Sequence, residues 1–85
     1  MTNPDDAGLS DAALAILRPV TLAKRARVVA GLSQGTFADT YGIPIGTLRD
    51  WEQRRSEPDA TAVAYLTAIT NDPVAVAIAY RKSAA

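Results

Sequence analysis

A glycine and a proline two residues apart, Gly42 and Pro44, cut through the most regular helical patterning in this chain, "LSQGTFADTYGIPIGTLRDWEQ", Leu32 to Gln53. Before the break, Phe37, Ala38 and Tyr41 recur at helical spacing; after it, Leu48 and Trp51 do. Ser33 is placed to cap the first segment, and Gly42 ends it in a conformation that a side chain would strain. Pro44 near the start of the second segment does no harm, because an N–H is not needed there. Two short helices joined by a tight turn are therefore expected, with small Ala38 allowing close approach at their crossing. Ile43 plugs the angle and Leu48 anchors the second helix from below. That leaves Ile45, Gly46, Thr47, Arg49 and Asp50 pointing largely away from the core.

From Thr21 on, the rest of the chain reads as more helix. "TLAKRARVVAGL" has a capping threonine, Leu22, Ala26 and Val29 on one face, and Gly31 as a stop. "PDATAVAYLTAIT" starts on Asp59 and ends at Asn71, and "DPVAVAIAYRK" starts on Asp72 with Pro73 in the first helical position. Two cations in the last turn of that helix suit its dipole. Nothing alternates as a strand would, so the fold class is all-α: a compact five-helix domain over residues 21–85, with its tight helix pair at 33–54. Residues 1–20 form a flexible acidic segment, in which "SDAALAIL" can make a short helix stopped at Arg18-Pro19. The large apolar residues, Leu22, Leu32, Phe37, Ile43, Leu48, Trp51, Leu66 and Ile69, fall mostly in the middle and later parts of the chain. At this length the core is small.

Composition narrows the chemistry. The chain has no cysteine and no histidine, which removes disulfides, thiolate metal sites and the commonest general base. Its carboxylates are scattered singly and it has no Gly-rich phosphate loop, so neither an enzyme nor a metal or cofactor site is expected. No apolar run approaches the roughly 20 residues of a membrane span, and the acidic N-terminus is unlike a secretory signal; a cytoplasmic address follows. Net charge is zero but unevenly spread. Residues 1–17 carry −3, residues 18–55 carry +4 and residues 56–85 carry −1. A basic middle between acidic ends is compatible with phosphate contact.

Helix, short Gly-containing turn and second helix is the DNA-reading unit. "LSQGTFADTYGIPIGTLRDWEQRRSEPD" resembles the helix-turn-helix of the lambda-repressor/Cro-like (XRE) family, and within it the HigA-like antitoxins, from about Arg27 to Val74. The resemblance implies that Gln34 touches a phosphate and that Ile45, Gly46, Thr47, Arg49 and Asp50 face the major groove. It also places Arg27 and Glu52 where the family commonly has a buried ion pair. Arg54 is a departure, since glycine usually follows "WEQ" in the family.

Taken singly, these residues leave alternatives open. Arg49 can grip guanine through two hydrogen bonds or sit in a surface ion pair with Asp50 or Glu52. Asp50 can accept from a cytosine amino group or orient Arg49. Arg54 and Arg55 are phosphate clamps or a solvated pair, and Trp51 is half-buried support rather than a stacking platform. Val74, Ala77 and Ile78 pack internally or form the seam of a homodimer. The resemblance implies a DNA-binding repressor of its own operon that also neutralises a small toxin, and residues 1–20, acidic and weakly helical, are the natural segment to face a basic toxin. The alternatives are a stand-alone XRE-type repressor, or a helix-turn-helix-fold adaptor that binds a regulatory protein instead of double-stranded DNA.

Overall fold

A computed structural model describes residues 20–84, and these described residues form five α-helices and no strand: α1 (Leu22–Ala30), α2 (Gln34–Tyr41), α3 (Ile45–Glu52), α4 (Ala60–Asn71) and α5 (Pro73–Ala84). The expected N-terminal segment lies outside the described residues except for its last position. Four helices start on a side-chain cap. Thr21 accepts from the Lys24 amide, Ser33 from Thr36, Asp59 from Ala62 and Asp72 from Ala75, each satisfying a first-turn donor that has no partner within the helix. The exception is α3, which follows Pro44 with no side-chain cap.

Helices α1, α2 and α3 close alike. Gly31, Gly42 and Arg54 take left-handed backbone angles, with φ of 75°, 69° and 61°. In each case the next amide reaches back five residues: Leu32 to Arg27, Ile43 to Ala38 and Arg55 to Asp50. That bond uses up a helix-end carbonyl and turns the chain sharply. Glycine suits the position because it has no Cβ to strain; Arg54 holds it without that advantage.

The core gathers Ala23, Ala26, Phe37, Ala38, Tyr41, Ile43, Leu48, Leu66 and Ile69. Full burial of a Leu, Ile or Phe side chain contributes about 1.5–3 kcal/mol, so Phe37, Leu48, Leu66 and Ile69 supply much of the driving force. Leu22, Leu32 and Trp51 pack half-buried against this core, as expected for Trp51. Val29 departs from expectation. It is 49% exposed, because α1 turns Ala23 and Ala26 inward and α4 seats on their small side chains. Two tyrosines add a polar seam. The Tyr65 hydroxyl donates to the Tyr41 carbonyl at 2.6 Å and the Tyr41 hydroxyl to the Pro73 carbonyl at 2.7 Å, tying α4, α2 and α5 together. Burial pushes both phenols above their ordinary pKa, helped at Tyr65 by Tyr80 and Tyr41, so both stay protonated donors at neutral pH. No helix among the described residues is long and apolar enough to cross a membrane.

Candidate nucleic-acid interface

Helix α3 is held from behind. Leu48 is fully buried, and one turn later the Glu52 carboxylate receives three donors. Arg27 of α1 grips it with Nε at 2.8 Å and Nη2 at 2.9 Å, and Gln34 of α2 adds Nε2 at 3.2 Å. A two-pronged guanidinium contact fixes orientation as well as distance. The third guanidinium nitrogen of Arg27 donates to the Leu32 carbonyl at 3.3 Å, in the connection between α1 and α2. One buried carboxylate thus locks the relative placement of three helices. Burial alone would raise the pKa of Glu52, but hydrogen bonds from Arg27 and Gln34 and the charges of Arg27 and Lys24 outweigh it, so the group titrates below the ordinary carboxylate range. On the other side, the Glu52 hydrogen bond raises Arg27 further despite its partial burial.

With Leu48 and Glu52 turned in, the helical period turns Gly46, Arg49, Asp50 and Gln53 out. Gly46, Arg49 and Gln53 are exposed, while Asp50 and Thr47 are half-buried at the edge of that face. Ile45 does not belong there. It packs against the core, because it sits just off the Leu48–Glu52 side of the helix, so the outward face is narrower and more polar than the sequence pattern implied.

The cations divide. Arg49 takes part in no ion pair among the described residues: Asp50 meets Arg55 instead, at 3.8 Å, and Glu52 meets Arg27. The Asp50–Arg55 pair is loose, with side chains 45% and 69% exposed, and pairs of that kind contribute little. Arg54 lies on another flank, lining a groove of about 270 Å³ with Trp51, Glu57, Pro58 and Val63. Gln34, expected at a phosphate, spends one amide hydrogen on Glu52 and keeps a second to donate. Two exposed polar residues beside this face were not singled out from sequence. Gln53 lies four residues beyond Arg49, and Lys24 lies near enough to Glu52 to influence its charge. Helical spacing from Arg49 and from Arg27 was the signal for each.

Together these residues make a convex, polar helix face with one unpaired guanidinium, rigidly backed. Such a face can enter a groove and donate hydrogen bonds. Among the described residues no group of three or more His, Cys, Asp or Glu is gathered to hold a metal ion. Comparison with family models, curated proteins and solved structures returns no match.

Proposed function

We propose that this chain is a DNA-binding transcriptional repressor of the lambda-repressor-like helix-turn-helix class, with α2 lying across the duplex and α3 entering the major groove. The observation that carries the reading is the lock on α3. Arg27, Gln34 and Glu52 hold the helix so that Gly46, Arg49, Asp50 and Gln53 face outward as one rigid surface, and sequence readout requires a reading helix held in that way. The closing geometry of α3 supports the resemblance as well. Arg54 holds a left-handed conformation at the position where the family usually has the residue best suited to it.

In this role Arg49 discriminates bases, while Gln34, Arg54 and Arg55 contact phosphates. Palindromic sites would be read by a homodimer. The resemblance to HigA-like antitoxins extends the proposal to autoregulation of a toxin–antitoxin operon, with residues 1–20 as the toxin-facing segment.

The test is a titration of the full chain against the DNA upstream of its own gene and against random duplex, at two salt concentrations. Wild type is expected to prefer the upstream DNA at physiological salt. Arg49→Ala should shrink that preference by about 1–3 kcal/mol. The Arg54→Ala, Arg55→Ala double variant should weaken both DNAs alike and flatten the salt dependence by about one unit of slope per lost contact. Equal, weak binding to all DNA that vanishes at physiological salt would favour the adaptor reading, which zero net charge and Asp50 on the outward face also suit. For the antitoxin role, the full chain should rescue growth when the adjacent gene is induced; without rescue, the stand-alone repressor stands.

A further inference from the structure

We infer that Asp50, brought close to the groove floor by Gly46, is a specificity-determining residue that selects cytosine. The inference rests on the DNA-reading proposal above and adds a second base to it.

An ionised carboxylate only accepts hydrogen bonds. The major-groove edge of guanine offers it acceptors alone and that of thymine an acceptor and a methyl group, adenine sets its amino donor beside the N7 acceptor, and only cytosine presents an amino donor without one. An aspartate on a reading face is therefore repelled by most of what it meets and satisfied by one base. The alternative duty for Asp50, holding Arg49 in place, has no support in the geometry, because its salt-bridge partner is Arg55. That pair is long and exposed enough to part at little cost, which leaves Arg55 for a phosphate and the carboxylate for the floor of the groove.

Aspartate is a short side chain, so its backbone must approach closely. Gly46 stands one turn before Asp50 and three residues before Arg49, on the side toward which helical side chains lean. A Cβ placed there would meet nothing within 4 Å, so packing inside the protein gives no reason for glycine. Glycine within a helix is otherwise a disadvantage. The open notch at Gly46 lets α3 sit deeper, and the two side chains flanking it, Arg49 and Asp50, then read guanine and cytosine as neighbouring contacts.

The test is selection from a randomised duplex library by the full-length chain, as wild type, Asp50→Ala and Gly46→Ala. Wild type should enrich a motif with cytosine at one position close to the guanine read by Arg49. Asp50→Ala should keep the guanine, lose the cytosine preference by roughly 5- to 150-fold, and bind random duplex more tightly than wild type does. Gly46→Ala should melt at a higher temperature yet show a weaker cytosine preference, a combination that a purely structural role for Gly46 does not produce. Identical motifs from wild type and Asp50→Ala overturn the inference and leave the repressor reading intact. Absence of any motif from wild type overturns both.

Discussion

Helices α2 and α3 are eight residues each and joined by three, Gly42, Ile43 and Pro44, yet they follow opposite rules. In α2 the local chemistry is orthodox: Ser33 caps the start, Phe37, Ala38 and Tyr41 are buried, and Gly42 ends it in the conformation glycine favours. In α3 the start has no side-chain cap, glycine sits in the first turn, only Leu48 is fully buried, and an arginine occupies the left-handed stop. Helix α2 is held by its own sequence signals and by the core. What holds α3 comes largely from outside it, through Leu48 and the Arg27–Glu52–Gln34 cluster. Departures from local rules tend to gather where function competes with stability, and here they gather on the helix whose polar face looks outward.

If α3 depends on that external clamp, the largest loss should come from releasing it. Glu52→Gln should cost about 3 kcal/mol, because the Arg27 guanidinium, with its side chain only 19% exposed, is left with no carboxylate. For a domain this small that is a large part of the total. The pH dependence gives an independent reading. Since the folded-state pKa of Glu52 is depressed, its contribution is complete above the unfolded value of about 4.3 and is lost as pH falls through the folded value. Denaturant midpoints of wild type and Glu52→Gln should therefore converge on acidification below about pH 4. A constant gap would place the cost elsewhere.

A smaller loss should follow from breaking the orthodox turn. Gly42→Ala forces a side chain into left-handed angles, costing about 1–2 kcal/mol, and its Cβ would also run into the Tyr80 hydroxyl end of the ring. Thermal melting should show both: a lower midpoint for Gly42→Ala, partly recovered when Tyr80→Ala is added. No recovery would mean that backbone strain is the whole effect.

The smallest effect has the opposite sign. Arg54→Gly relieves left-handed strain at the end of α3 but adds freedom to the unfolded chain, for a net gain of about 0.5 kcal/mol. The same variant should lose about one unit of salt dependence in DNA binding if Arg54 touches a phosphate. A destabilised Arg54→Gly would erase the contrast between the helices, since Arg54 would then be held for its packing in the groove beside Trp51.

The same contrast decides what could be read before the structure. Thr21, Ser33, Asp59 and Asp72 mark the starts of α1, α2, α4 and α5, and Gly31 and Gly42 mark two of the stops, because caps and left-handed glycines act within a few residues of chain. Helix α3 has a weaker signature. Its stop at Arg54 is visible only by resemblance, and the inward tilt of Ile45 depends on where neighbouring helices stand. The burial of Ala23 and Ala26, at the expense of Val29, likewise follows from how near α4 comes, which no periodicity in α1 states. In the site, Arg27 and Glu52 were matched to one another by family pattern, 25 residues apart. Composition could not have paired them, nor could it have given Gln34 to the same carboxylate or Arg55 to Asp50.

Tyr80 over Gly42 carries a consequence for how the chain is made. The turn that sets α2 against α3 is encoded at residues 42–44, but the Tyr80 ring beside it and Pro73, whose carbonyl receives the Tyr41 hydroxyl, are encoded well downstream. On a ribosome adding roughly 5–20 residues per second, the turn emerges on the order of seconds before them. During that interval the Tyr41 hydroxyl has no carbonyl at Pro73 to donate to, and α2 lacks its tie to α5. Synthesis therefore delivers α2 and α3 before the residues of α5 that pack on α2, so the tie between Tyr41 and Pro73 is among the later contacts to form.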